Sequence, residues 1–130
     1  IGGIPAKLIK KRLEFELKDS LHYLNDSDLP YFYSGFFTDA KNLSESRKKE
    51  GIKVRNTFLI YVNSQEKKNI SLQIKNDSAE GMQIEYNNQK KELEKEFTII
   101  SFDIENSNLH RFTLSSNSSN NVLVQSIKTF

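Results

Sequence analysis

The stretch Ile70-Ser71-Leu72-Gln73-Ile74-Lys75 decides the fold, because every second residue is apolar and those between are polar. That period of two belongs to a strand with one face in a core. The pattern spreads in both directions. Phe58, Ile60 and Val62 point one way within residues 57–62, Met82, Ile84 and Tyr86 alternate with Gln83 and Glu85, and Leu13, Phe15 and Leu17 alternate with Glu14, Glu16 and Lys18. In Phe97-Thr98-Ile99-Ile100-Ser101-Phe102-Asp103-Ile104 both faces are apolar at the centre, with Ile100, Phe102 and Ile104 opposite Phe97 and Ile99. A strand apolar on both sides is expected in the middle of a sheet. Residues 31–37, 109–114 and 122–128 bring the total to about eight strands.

Residues 63–69, 76–81 and 115–121 are rich in Asn, Asp, Ser and Gly and predict turns between these strands. Residues 44–51 start on a possible cap, Ser44, and stop at Gly51, but offer no apolar face, so a loop is expected there. Short strands joined by polar turns predict an all-β, antiparallel β-sandwich of jelly-roll-like character. A short N-terminal helix precedes it: Gly2-Gly3 gives a turn, Pro5 suits a first helical position, Leu8 and Ile9 are apolar, and Lys10, Lys11 and Arg12 suit the C-terminal end.

At 130 residues the chain has room for a single core. Nineteen Lys and Arg against seventeen Asp and Glu leave a net charge of only +2, without a basic stripe, so nucleic acid is not an expected partner. There is no cysteine, which removes disulfides, thiolate zinc sites and a Cys nucleophile. The longest apolar run is Phe58-Leu59-Ile60-Tyr61-Val62, far short of the roughly 20 residues that span a bilayer, so no membrane span is expected. The opening residues show no basic region followed by an apolar one, and the expectation is a bacterial cytoplasmic protein without a secretory signal.

Few residues invite a chemical role. The densest aromatic cluster is Tyr31-Phe32-Tyr33-Ser34-Gly35-Phe36-Phe37. Sugars dock their apolar faces on aromatic rings, and tyrosines carry a polar tip, so Tyr31 and Tyr33 are the candidate substrate-binding residues, weighed against plain core packing. Tyr61 and Tyr86 pose the same choice, and Tyr86 shares a face with Ile84, which favours packing. His22 and His110 sit in no ligand spacing and read as ordinary surface or strand residues. Asn25, Asp26, Ser27 and Asp28 make an oxygen-rich loop without the spacing of an EF-hand, better read as a capped turn than a calcium site. The run Lys90-Lys91-Glu92-Leu93-Glu94-Lys95-Glu96 reads as a solvated hairpin end. Asn-x-Ser sequons begin at Asn25, Asn42, Asn69, Asn76 and Asn117, and composition alone accounts for them. No catalytic residue and no metal ligand is expected.

The opening Ile1-Gly2-Gly3-Ile4-Pro5-Ala6-Lys7-Leu8-Ile9-Lys10-Lys11-Arg12 resembles the tail that closes the left-handed β-helix of hexapeptide-repeat acyltransferases, the group of galactoside and capsular-polysaccharide O-acetyltransferases. The resemblance covers about a tenth of the chain. It implies that residues 1–12 are the end of an acyltransferase domain and residues 13–130 a C-terminal accessory β-sandwich. It implies a parent homotrimer that binds acetyl-CoA between subunits and acts on a carbohydrate acceptor. Pro5, Ala6 and Lys7 would lie by the adenine and 3′-phosphate, with Lys10 and Arg12 as further candidates. The hexapeptide coils and the histidine that deprotonates the acceptor hydroxyl in that family have no counterpart in this sequence, so the fragment itself is expected to be inactive and to hold no cofactor. Two other readings stand beside this one: a stand-alone carbohydrate-binding β-sandwich module and a structural oligomerisation domain.

Overall fold

The structure is a computed structural model, and it describes residues 17–115 and 121–130. The expected helix at residues 5–12, the strand begun at Leu13 and the candidates Pro5, Ala6, Lys7, Lys10 and Arg12 lie outside them. The described residues form nine strands: β1 (Ser20–His22), β2 (Ser34–Phe36), β3 (Ile52–Tyr61), β4 (Asn69–Asn76), β5 (Gln83–Tyr86), β6 (Gln89–Glu92), β7 (Thr98–Asp103), β8 (Leu109–Leu114) and β9 (Val122–Thr129). A 3-10 turn covers Leu29–Tyr31 and one helix, α1, covers Ala40–Lys49. The all-β, antiparallel expectation holds.

Seven strands run in the order β6-β5-β8-β3-β9-β4-β7, with β1 added to β9 and β2 to β3. The ten-residue β3 belongs to both layers. Its first residues, Ile52 and Lys53, pair with Val124 and Leu123 of β9, while Thr57 to Tyr61 pair with β8. One layer is therefore β2-β3-β8-β5-β6, and the other holds β1, β9, β4 and β7. Alternation sends Phe58, Ile60, Ile70, Leu72, Ile74, Ile84 and Phe112 into the space between, all fully buried. Full burial of such a side chain contributes roughly 1.5–3 kcal/mol relative to leaving it in water.

Aromatic rings bridge this core. Phe58 stacks on Phe112 at 5.3 Å, Phe112 on Tyr86 at 4.8 Å, and Phe36 meets Phe58 edge-on at 5.3 Å. The approach of β2 to β3 depends on Gly35, whose φ is +82° and whose imagined Cβ would lie 2.2 Å from the Thr57 carbonyl oxygen. The register slips there, with Ser34 opposite Leu59 and Phe36 opposite Val54. Only glycine fits that backbone.

Two expectations are corrected. Residues 44–51 are not a loop, because α1 begins earlier, after Asp39, and includes Leu43, which packs against the core. Its end is capped by Glu50 at φ +64° and by the Gly51 N–H donating to the Ser46 carbonyl, which holds a helix with little apolar surface. Strand β7 is not central but stands at the end of the order, paired with β4 alone, and Ile99 is 67% exposed. The charged run 90–96 is exposed at every residue but Leu93, as a solvated hairpin end should be. Asn87 and Asn88, both at positive φ, turn β5 into β6, and β6 faces β7. Gln89 donates from Nε2 to the Asp103 carbonyl and accepts from the Asp103 N–H, both at 3.0 Å, while Lys91 donates to the Ser101 carbonyl. Side chains thus close the seam between the two ends of the sheet.

Candidate functional site

The aromatic segment divides at the 3-10 turn, where Pro30 stands in the first turn. Tyr31 is 2% exposed, packed in the core with Lys18 Nζ 5.4 Å from its ring centroid, whereas Tyr33 is 55% exposed. The segment is not a continuous strand, so Tyr31 and Tyr33 do not share an open platform. Phe32 and Phe36 are core rings 4.9 Å apart. Tyr33 donates its backbone N–H to Leu59, at the edge of the β2-β3-β8-β5-β6 sheet.

The outer face of that sheet carries a shallow cleft lined by Gln83, Glu85, Lys90, Thr113, Leu114 and Ser115, of about 200 Å³. Pairing builds it directly. Glu85 of β5 stands opposite Lys90 of β6 on one side and Thr113 of β8 on the other, and residues paired directly across antiparallel strands point to the same face. The Gln83 N–H donates to Ser115 Oγ at 3.0 Å. An amide, a carboxylate, an ammonium and two hydroxyls in one depression suit a polyhydroxylated ligand through hydrogen bonds. This grouping was hidden in the sequence, where its residues are spread over 33 positions and appear as the polar half of ordinary alternation.

His110 is fully buried on β8 rather than at the surface. Its Nδ1 lies 2.8 Å from the Tyr86 hydroxyl, which also accepts the Glu105 N–H at 2.8 Å. The other ring nitrogen, Nε2, is buried with no hydrogen-bond partner. Burial pushes the imidazole down to about 4, partly offset by the Val62 backbone, and pushes the Tyr86 phenol up to about 12. Both groups stay neutral at pH 7. Sealed from solvent, they serve packing.

Asp28 is a buried staple: its carboxylate accepts from Lys18 Nζ and from the His22 N–H, while Asp26 pairs with Arg47 at 2.8 Å. The capped turn expected at residues 25–28 is made by Asn25, whose Oδ1 accepts the Ser27 N–H at 3.2 Å. His22 is half-buried and accepts the Leu24 N–H on Nδ1. Among the described residues no group of three or more His, Cys, Asp or Glu is placed to hold a metal ion. Among them, too, no helix is long and apolar enough to cross a membrane. No family model, curated protein or solved structure matches the chain.

Proposed function

We propose that this chain is the C-terminal accessory β-sandwich of a bacterial hexapeptide-repeat O-acetyltransferase, a non-catalytic domain that engages the carbohydrate acceptor while the upstream region carries the acetyl-CoA chemistry. The observation that carries the carbohydrate half is the polar cleft of Gln83, Glu85, Lys90, Thr113 and Ser115 on an open sheet face. The acyltransferase half is supported by the string Gly3-Ile4-Pro5-Ala6-Lys7 and the basic cluster after it. The parent would be a homotrimer with acetyl-CoA as cosubstrate, held in part by Pro5, Ala6 and Lys7, and the exposed Tyr33 would offer the acceptor a further ring.

The test follows amide resonances while the chain is titrated with neutral oligosaccharides. Shifts at Gln83, Glu85, Thr113 and Ser115 are expected, weakened by Glu85→Gln, which removes a charged acceptor and should cost about 1.5–3 kcal/mol of binding. Absence of shifts with every saccharide tried would overturn the carbohydrate reading. The reading frame upstream of Ile1 tests the parentage: repeated hexapeptides with an apolar residue at every sixth position are expected there.

A further inference from the structure

A second depression lies on the other side of β3, between α1 and the start of β9. It is about 200 Å³ and lined by Asn42, Glu45, Ser46, Lys49, Lys53, Asn121 and Leu123. Its charge is uneven. Residues 39–55 carry six Lys and Arg against three Asp and Glu, a surplus of three where the whole chain has two. Two of the six are neutralised locally, Arg47 by Asp26 at 2.8 Å and Lys48 by Glu45 at 3.7 Å. Lys49, Lys53 and Arg55 pair with no carboxylate among the described residues.

Two of these cations converge on one neutral ring. Lys53 Nζ lies 5.3 Å and Arg55 Cζ 4.4 Å from the centroid of Phe37, itself tied to β3 by its N–H donating to the Lys53 carbonyl. The ring's π-face attracts each cation, but it does not remove their mutual repulsion. Lys49 enters the depression from the last turn of α1 and Lys53 from β3, so two positive charges line a concave place where a bound anion would offset them. Around them stand the amides of Asn42 and Asn121, the Ser46 hydroxyl and the Glu45 carboxylate, groups that match sugar hydroxyls. Glu45 also disfavours a continuous phosphodiester chain.

We infer that the depression between α1, β3 and β9 is a binding site for an acidic saccharide, its carboxylate held by Lys49 and Lys53 with Arg55 beside them on Phe37. The inference rests on the carbohydrate reading above and assigns its acidic units to a place separate from the Gln83–Ser115 cleft.

The full chain is titrated with a galacturonate hexamer, with maltohexaose and with a single-stranded oligodeoxynucleotide, each followed by amide shifts and calorimetry. Expected are shifts at Asn42, Ser46, Lys49 and Lys53 with the uronate, affinity that falls as salt is added, and a loss of roughly tenfold or more, about 1.4 kcal/mol, in Lys49→Gln/Lys53→Gln. Lys49 is exposed and Lys53 half-buried outside the core, so the double variant should keep its fold; Lys49→Arg/Lys53→Arg should restore binding and serves as the control if the neutral variant fails to fold. Uronate binding that ignores both variants, or no shift at these residues, overturns the site. An oligodeoxynucleotide bound as tightly as the uronate also overturns it in favour of a general polyanion surface. Maltohexaose shifts at Thr113 and Ser115, with none from uronate at Lys49, would leave the carbohydrate reading standing while this inference falls.

Discussion

At His110 the sequence offers a lone histidine in a strand, and the structure turns it into a pH-dependent element of stability. The unfolded ring titrates near 6.5 and the folded one near 4, so between these values the unfolded chain binds more protons than the folded one. Stability is therefore full above about pH 6.5 and is lost as pH falls toward 4, by about 3 kcal/mol in all. Urea unfolding at pH 7 and pH 4.5 should show this, and His110→Leu should flatten the difference between those two conditions. Asp19 acts in the same direction at lower pH, since its bonds to Asn63 and Lys67 hold its carboxyl below the usual range, though its exposure makes the effect small. Gly35 gives a second residue-scale prediction. Gly35→Ala places a Cβ against the Thr57 carbonyl at a left-handed φ and should cost at least about 2 kcal/mol in thermal or urea unfolding. Neither effect was legible beforehand: one needs the burial that the fold imposes on His110, the other the Thr57 carbonyl across the sheet, and nothing local names either.

Elements were legible where periodicity reports burial and illegible where something else decides. Strands β3, β4, β5 and β8 follow the alternation of their apolar residues because one face of each enters the core, while β9 buries Val122, Leu123 and Val124 in a row. α1 escaped detection because its hold comes from its ends and from Leu43, while most of its surface is charged. β7 misled in the opposite sense: Ile99 made both faces look covered, yet among the described residues no strand lies beyond it. Its free edge is instead closed by Gln89 and Lys91, so Gln89→Ala/Lys91→Ala should leave the core intact, cost about 1–2 kcal/mol, and expose the backbone groups of Ser101 and Asp103. Faster amide exchange at Asp103 and concentration-dependent association in sedimentation measurements are the expected readouts, as an unpaired edge is a template for another strand.

For the whole molecule, the ring sequence Phe36, Phe58, Phe112, Tyr86 fastens the layer β2-β3-β8-β5-β6, and Phe102 of β7 reaches it from the opposite layer, 6.2 Å from Phe112. Phe112→Ala removes the middle member and should cost about 3–5 kcal/mol, a large part of the 5–15 kcal/mol typical of a domain, so calorimetry should find the variant close to unfolded at 37 °C. The two depressions were the least legible part, because one is assembled by strand pairing from residues that alternation marks only as facing away from the core, and the other by α1 lying beside β3 and β9.

β9 has consequences for synthesis. It holds β4 along one side and both β1 and the start of β3 along the other, so the layer it belongs to has no connected form without it. A polypeptide growing from its N-terminus must therefore wait, with Ile52, Ile70 and Leu72 unsheltered, until residues 122–129 have left the ribosome. Nascent chains of this protein should depend on holding chaperones up to that moment and then close in one step.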